Sequence, residues 1–401
     1  MSLTQSDNLR AISIRPATPW LADVWRHALA RPTAKIGLAW ICLVGFCALF
    51  APLLANSHPI LLKVNDQWSS PLLRYLGPAD VILLALAFLG LPLLAWRRWR
   101  LPNRLLVVLA GMLLIGVLSS VFVRPPETVV YSRYRELQSA GKVQYILRTP
   151  IPFSPSDRLD DQPVPEPPYP WPPGRDHWLG TDINGQDILA SMIHACRIAM
   201  SVGFIATGIS VIIGIVVGGL MGYFVGWTDM LGMRLVEIFS AIPTLYLLLT
   251  FVAYYDRNIY TMMAIIGLTS WVGDARFVRA EFLKLRNQDF VQAAIAAGLP
   301  LPRVLFRHIL PSALAPLMVS ASFGVASAIL IESMLSFLGL GLVDQPSWGR
   351  LLDMARGEGG GFHWWLATFP GVAIFLTVVA YNFIGEALRD AMDPRLYGSR
   401  S

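Results

Sequence analysis

Long apolar runs separated by shorter polar stretches dominate the hydrophobicity pattern of this chain. A helix needs roughly 17–25 apolar residues to cross the hydrocarbon layer of a membrane. Eight runs approach that length: Ile36–Leu54, Val81–Trp96, Leu105–Val123, Ile198–Gly226, Met230–Tyr255, Ile259–Trp271, Leu314–Leu338 and Trp364–Ile384. The pattern therefore predicts an all-α polytopic membrane protein of about eight spans, with both termini on one side.

Composition supports a lipid environment. Hydrophobic residues make up 55% of the 401 residues and charged residues only 14%, whereas about 25% of a typical soluble domain is charged. The net charge of +6 is modest and lies in the loops. We therefore expect it to set orientation in the membrane, and we expect no nucleic-acid partner.

The distribution of Lys and Arg predicts which loops face the cytoplasm. Basic residues cluster before the first run, in the turn Arg97–Arg104, between Arg276 and Pro311, and in the C-terminal tail. The positive-inside rule places these segments, and both termini, in the cytoplasm. These basic residues could also bind anionic lipid headgroups, which is compatible with the same topology.

The segment Arg124–Arg197 is then external. Its stretch PVPEPPYPWPPG favours extended chain over helix or sheet, which is typical of a surface spacer, with a platform for an external partner as the alternative. After it, Asp182 or Asn184 is a candidate N-cap for a short amphipathic helix around Ile188, lying on the membrane surface.

Glycines recur at three- and four-residue spacing in the fourth run. They are Gly214, Gly218, Gly219, Gly222 and Gly226. Small residues on one helix face let two backbones approach closely. The pattern predicts tight helix packing, with a sliding contact as the alternative.

Three charged residues lie in or beside apolar runs. A charge at membrane depth is costly, so Glu332 is expected either to line a pathway or to hydrogen-bond to a neighbouring helix. Arg234 and Glu237 stand three residues apart and predict a local ion pair, which is structural or belongs to a pathway.

The basic loop after the sixth run predicts a helix-turn-helix. Asn287 or Asp289 can cap its first helix, and Gly298 can end that helix in the left-handed conformation. A second short helix then starts at Pro302, and Pro311 returns the chain to the membrane. The alanines of the first helix would present a smooth face to a soluble partner.

A nucleotide site is not predicted in this chain. A phosphate-binding loop needs Gly-Lys followed by Ser or Thr, but Gly141-Lys142 is followed by valine. We see neither a catalytic constellation nor histidines at metal-ligand spacing. We therefore expect no enzymatic activity, cofactor or metal site here.

The loop QAAIAAGLPLPRVLFRHILP resembles the coupling loop of inner-membrane permeases of bacterial ABC importers, although the family has glutamate where this chain has Gln292. The elements HWLGTDINGQDILA, DMLGMRLVEIFSAIP, ESMLSFLGLG with PSWGRLL, and YNFIGEALRDAMDPR resemble the second permease of oligopeptide, dipeptide and nickel systems. These motifs extend over Trp178–Arg395. The segment ANSHPILLKVNDQWSSPLL resembles the microcin C branch. The resemblance implies a six-helix permease core, to which the second and third spans add an inserted hairpin.

The resemblance also implies function and partners. It implies a permease subunit importing oligopeptides or peptide-like solutes across a bacterial inner membrane, with a second permease, two ATPases that bind ATP and Mg, and an external solute-binding protein. The residues it assigns to ATPase coupling are Gln292, Ala293, Ala294, Gly298, Arg303, His308 and Pro311. Two alternatives stay open: an importer of nickel, opines or another small solute, and a scaffold or receptor that transports nothing.

The predicted domain organisation follows from these elements. It comprises a cytoplasmic segment 1–35, spans with the hairpin 36–123, an external loop 124–197, the permease domain 198–395 with its coupling loop 276–311, and a tail 396–401.

Overall fold

A computed structural model of the chain describes residues 24, 26–95, 101–126, 129–159, 169–255, 257–342, 345–357 and 361–392. Its helices are α1 (Pro32–Leu54), α2 (Pro71–Tyr75), α3 (Pro78–Ala85), α4 (Leu91–Ala95), α5 (Leu101–Phe122), α6 (Ser132–Ser139), α7 (Ile188–Phe224), α8 (Trp227–Ala241), α9 (Thr244–Tyr254), α10 (Ile259–Arg286), α11 (Asp289–Ala296), α12 (Leu301–Val304), α13 (Leu310–Phe337), α14 (Trp348–Met354) and α15 (Trp364–Ala391). Two π-helical turns are Leu86–Gly90 and Leu305–Ile309, and the strands are β1 (Leu61–Val64), β2 (Gln67–Ser69) and β3 (Val143–Leu147). Most of the basic N-terminal segment, residues 97–100 of the basic turn and the tail 396–401 lie outside these ranges.

Length and composition alone recognise fewer crossings than the eight predicted. Within the described ranges, six helices are long and apolar enough to cross a membrane, or seven if the bent pair α8 and α9 forms one span. The predicted sixth span, Ile259–Trp271, is the first half of α10, whose second half is rich in charge. Length and composition alone therefore do not count α10 as a crossing, but α10 runs alongside the spanning helix α7, from Gly267 next to Ala206 to Arg279 next to Gly222. Together with α10 and the bent pair, the described helices account for the eight predicted spans of an all-α polytopic bundle.

The predicted single span Met230–Tyr255 is broken. Helix α8 ends at Ala241 and α9 begins at Thr244, with an angle of 80° between the two. Pro243 causes the break, because proline has no N–H to donate and forces the preceding residue out of the helical region. Ile242 is accordingly extended, with ψ of 122°.

Helices α7 and α10 pack closely against each other, as the glycine spacing predicted. A Cβ atom on Gly214 would lie 2.5 Å from Cβ of Asp274, and one on Gly222 would lie 2.6 Å from the carbonyl oxygen of Arg279. Gly218, between them, faces Ala275 at even closer range. Only glycine at these positions lets the two backbones meet.

Polar contacts attach the N-terminal helices to this core. Trp40 in α1 donates from Nε1 to Thr377 Oγ1 in α15 at 2.9 Å. Arg197 in α7 forms an ion pair with Asp80 in α3 and donates to the carbonyl oxygen of Ala48 at 2.8 Å. The inserted hairpin, α3 to α5, is thereby joined both to α1 and to the permease helices.

The segment 124–197 is not simply a spacer. It contributes α6 and β3, and β3 pairs with β1 in an antiparallel sheet of order β2-β1-β3. Two of these strands precede the inserted hairpin and the third follows it, so the sheet ties the two ends of the hairpin together. The described part of the proline-rich stretch, residues 169–174, contains no helix or strand.

Acidification is expected to destabilise this sheet region through His58. The His58 ring is buried and stacks on Tyr75 with ring centroids 3.9 Å apart. Burial lowers the pKa of His58 to about 4, against an opposing effect of Asp157. Since unfolded His58 binds a proton below about pH 6.5 and folded His58 does not, stability falls between pH 6.5 and 4, by about 2 kcal/mol at pH 5.

The test is to compare the melting temperatures of the wild type and His58→Gln at pH 7 and pH 5. Glutamine carries no charge at either pH, so the variant should lose less stability on acidification. An equal loss in both proteins would assign the pH dependence to other groups.

Candidate functional site

The segment between α10 and α13 forms a compact elbow, residues 287–309. Its first helix, α11, begins after Gln288, whose backbone is extended and whose side chain makes no capping bond. The predicted caps are therefore wrong: Asn287 ends α10, and Asp289 lies in the first turn of α11. An acidic residue there still interacts favourably with the helix dipole.

The turn of the elbow is built as the sequence predicted. Gly298 has a φ of +73°, the left-handed conformation that ends a helix. Its N–H donates to the carbonyl oxygen of Ile295 at 2.9 Å, and the N–H of Leu299 reaches back to Ala294 at 3.2 Å. Pro300 then precedes the first residue of α12.

The second arm of the elbow differs from the prediction. The short helix expected to end before Pro311 runs on through the π turn Leu305–Ile309 into α13, so Leu301–Phe337 is one long helix. A proline ring inside a helix presses on the carbonyl four residues earlier. For Pro311 that carbonyl belongs to Arg307, inside the π turn that widens the helix.

The two faces of α11 have different environments. Val291 and Ala294 are buried against residues of α10 and α13. Gln292, Ala293 and Ala296 lie on the exposed side. Of the two alanines expected to meet a partner, Ala293 is therefore available, whereas Ala294 fixes the elbow to the bundle.

Two arginines of α10 anchor the base of the elbow. Arg279 forms a bidentate ion pair with Asp229 at the start of α8. Arg286 donates to the carbonyl oxygen of Tyr223, near the end of α7, at 2.8 Å. Neither contact is predicted by the local sequence, because the partners are 50 and 63 residues apart in the chain.

The Gln292 side chain closes the elbow on itself. Its Nε2 donates to the carbonyl oxygen of Arg286 at 2.9 Å, which satisfies one of the unpaired carbonyls at the end of α10. Glutamate could not donate this bond, so glutamine has a structural use here. Arg303 is exposed on the second arm, and His308 is partly buried within its π turn.

Glu332 is buried in α13. Its carboxylate accepts from Ser336 Oγ at 2.7 Å, within its own helix. The hydroxyl of Ser347, which precedes α14, is a further partner. The hydrogen bond that Glu332 was expected to make with a neighbouring helix is therefore made with the segment that precedes α14.

The motif HWLGTDINGQDILA forms the cap of α7. Asp187, and not the predicted Asp182 or Asn184, is the N-cap, accepting from the N–H of Ala190 at 2.8 Å. His177 Nδ1 lies 2.7 Å from the same carboxylate. The predicted surface helix is the first part of α7, which starts at Ile188 and continues unbroken.

A cavity of about 190 Å³ lies beside this cap. It brings together residues of two of the motifs, which are more than 150 positions apart in the chain: Asp182, Gln186, Ser347 and Arg350. Burial raises the pKa of Asp182, while hydrogen bonds from Gln186 and Asn184 lower it. The sequence offered no signal that these motifs meet.

Comparison with known proteins agrees with this architecture. The family model of the binding-protein-dependent transport system inner membrane component matches residues 214–397, and that of the N-terminal transmembrane domain of oligopeptide transport permease C matches residues 18–78. The chain therefore belongs to the family of inner membrane permease components of binding-protein-dependent ABC transport systems.

Individual relatives are similar over much of their length. The oligopeptide transport system permease protein OppC of Haemophilus influenzae is 41% identical over 220 residues, covering 55% of this chain and 70% of that protein. The dipeptide transport system permease protein DppC of Alkalihalophilus pseudofirmus is 37% identical, covering 56% and 74%. The inner membrane ABC transporter permease protein YejE of Escherichia coli is 32% identical, covering 88% and 92%.

Proposed function

We propose that this chain is one permease subunit of an ATP-driven importer that carries oligopeptides or peptide-like solutes into the cytoplasm. The relatives named above as oligopeptide and dipeptide permeases support this solute class over nickel or opines. In the proposed complex, a second permease completes the pathway, two ATPases hydrolyse ATP with Mg, and an external binding protein delivers the solute.

The elbow is the observation that carries this proposal. Its exposed face of Gln292, Ala293 and Ala296 is small enough for a partner to approach closely. Its second arm is continuous with α13, and its first helix packs against both α10 and α13. A force applied to the elbow would therefore be transmitted directly to two long helices of the bundle.

Coupling requires the ATPase to bind the elbow differently in its ATP-bound and ATP-free states, since equal affinity would shift no equilibrium. Coupling needs the elbow to be cytoplasmic, and the distribution of basic residues predicts this orientation, with both termini on the same side. The external cap of α7 and its cavity would then face the binding protein.

Co-purification and hydrolysis test the proposal. The chain is expressed together with the reading frames that flank its gene, purified through a tag on this chain, and assayed for ATP hydrolysis with and without peptide. We expect recovery of the ATPase and peptide-stimulated hydrolysis. A stable complex without stimulated hydrolysis or uptake would instead support a scaffold or receptor.

A further inference from the structure

An apolar pocket lies where the second arm of the elbow meets the end of α7. Its volume is about 160 Å³. Helix α7 contributes Val216, Leu220 and Phe224 to its wall, and the elbow contributes Leu305 and Phe306. A cavity of about this size that is lined by Leu, Ile and Phe stays free of water and binds small apolar molecules. The pocket is therefore suited to an apolar ligand.

The pocket continues an uncovered apolar face of α7. Ile212, Val216, Leu220 and Phe224 follow one another at four-residue spacing, so they share one face of the helix, and all four side chains are exposed. The opposite face carries the glycines that contact α10. Because α7 is apolar enough to cross a membrane, acyl chains can lie along this row. An acyl chain that follows the row enters the pocket near the last residue of α7.

Two arginines of the elbow stand at the rim of the pocket. Arg307 directly follows the pocket residues Leu305 and Phe306 in the chain, and Arg303 lies about one turn earlier on the same arm. Both arginine side chains are exposed. Side chains of a helix lean towards its N-terminus, which here is the turn at Gly298. Both guanidinium groups are therefore directed away from the spanning part of the helix.

A third arginine lies beside the end of α7. Arg286 in α10 donates to the carbonyl oxygen of Tyr223 at 2.8 Å, next to the pocket residue Phe224. Within the part of the chain that the structure describes, none of these three arginines forms an ion pair with a carboxylate. The nearby acid Glu281 pairs with Lys284 instead. The end of the pocket is therefore positively charged.

The apolar face and the arginines meet as they would at a membrane surface. Trp227, which begins α8 three residues after the end of α7, is 76% exposed, and tryptophan is enriched at the membrane–water interface. Arginines at this level reach the headgroups while their apolar stems stay in the hydrocarbon layer. The basic residues of the elbow predict that this surface is the cytoplasmic one.

We propose that this pocket binds an anionic phospholipid, with part of one acyl chain in the pocket and the phosphate bound by Arg303 and Arg307. Guanidinium groups bind phosphate oxygens through paired hydrogen bonds, and basic pockets between spanning helices on the cytoplasmic side bind anionic headgroups. An apolar helix of another subunit would cover the wall without neutralising the arginines, so the charge at the rim favours lipid as the occupant. The inference goes beyond the proposed function, because the lipid binds whether or not the chain transports a solute.

Lipid binding to the purified full-length chain tests the role of charge. Native mass spectrometry compares phosphatidylglycerol, which is anionic, with phosphatidylethanolamine of the same acyl chains, which has no net charge. We expect phosphatidylglycerol to bind more tightly. Arg307→Gln should weaken its binding by about fivefold, and the double variant with Arg303→Gln by about 25-fold, since each arginine near an anionic lipid surface contributes about fivefold. Arg307→Lys should retain most of the binding.

Lys284→Gln is the matched control for the loss of charge. Lys284 is exposed and lies about 200° around α10 from the pocket residue Phe282, so its substitution should leave the affinity for phosphatidylglycerol unchanged. The affinity for phosphatidylethanolamine should be the same in all of these proteins. Equal affinities of the wild type for the two lipids, or equal effects of Lys284→Gln and Arg307→Gln, would overturn the proposal.

Photocrosslinking in the membrane identifies what covers the pocket. The chain is expressed together with the reading frames that flank its gene, and p-benzoylphenylalanine replaces Phe306, which lines the pocket and is 69% exposed. We expect a crosslink to phospholipid, with a larger anionic share than the same photoprobe captures in place of Leu113 on α5, which is 74% exposed. A crosslink to a protein, or the same lipid composition at both positions, would refute the proposal.

A pair of tryptophan variants tests whether the pocket itself holds the lipid. Val216→Trp places a large ring in the pocket and should therefore reduce the yield of lipid crosslinked in place of Phe306. Ile212→Trp adds the same ring one turn away on the same exposed face but outside the pocket, and should leave that yield unchanged. A reduced yield in both variants, or in neither, would contradict binding in the pocket.

Discussion

Replacing Gly298 with valine is expected to lower uptake by about tenfold or more while the protein still inserts into the membrane. The φ of +73° at Gly298 is a conformation that L-residues adopt at a cost of about 1–2 kcal/mol, and β-branched residues are particularly disfavoured there. A Cβ at this position would touch nothing within 4 Å, so the substitution strains the backbone without causing a clash.

The strain would be relieved by rearranging the turn between α11 and α12. Because that turn sets the angle between the two arms of the elbow, the exposed face of α11 would no longer match its partner. We expect peptide uptake and peptide-stimulated ATP hydrolysis to fall by about tenfold or more, the equivalent of at least 1.4 kcal/mol. Immunoblots of the membrane fraction check insertion.

Gly298→Asn is the matched control for this prediction. Asparagine tolerates the left-handed conformation better than other L-residues, so this variant should retain most of the uptake. Normal uptake by Gly298→Val would count against the coupling role of the elbow. Equal loss in both variants would indicate that the glycine matters for a reason other than its φ angle.

The features predicted correctly are those that depend on residues close together in the chain. Apolar runs identified most of the long helices, glycine at the end of α11 identified the turn, and the spacing of Arg234 and Glu237 identified their ion pair. In each case the signal lies within one helix or one turn. Local physical chemistry is then sufficient, because no distant residue has to be placed.

The errors arise where a distant contact determines the local structure. The amphipathic pattern at Ile188 predicted a helix on the membrane surface, but its apolar residues pack against Leu351 and Trp365 of α14 and α15. Asp182 was a reasonable cap by residue type, yet its carboxylate accepts from the N–H groups of Asn184 and Gln186. Neither outcome can be derived from the segment alone.

The candidate site was predictable in part for the same reason. The position and turn of the elbow follow from its own residues, and so does the exposure of Gln292 and Ala293. The inward orientation of Ala294 and the anchoring of Arg279 to Asp229 depend on how α8, α10 and α13 pack. The hydrogen bond from Arg276 to Ser240 likewise joins two helices, and the sequence of either helix alone does not reveal it.

Alanine substitutions at two glycines of α7 are expected to have opposite effects on stability. At Gly218, a Cβ would overlap the carbonyl oxygen of Ala275 and lie 2.9 Å from Cβ of Val278. Both neighbours belong to the rigid part of α10, so the helices must separate. Overpacking of this kind typically costs about 1–3 kcal/mol, and here it would also weaken the adjacent contacts of Gly214 and Gly222.

At Gly208 in the same helix, a Cβ would meet no atom within 4 Å. Gly208→Ala should therefore be neutral or stabilise the protein by up to about 1 kcal/mol, since alanine loses less backbone entropy in a helix. Melting temperatures in detergent, followed by size-exclusion chromatography of a fluorescent fusion, compare the two variants with the wild type. If Gly218→Ala melted at or above the temperature of Gly208→Ala, the close approach of α7 and α10 would not be what stabilises the bundle. Motion of the elbow would then have to be transmitted to α7 through another contact.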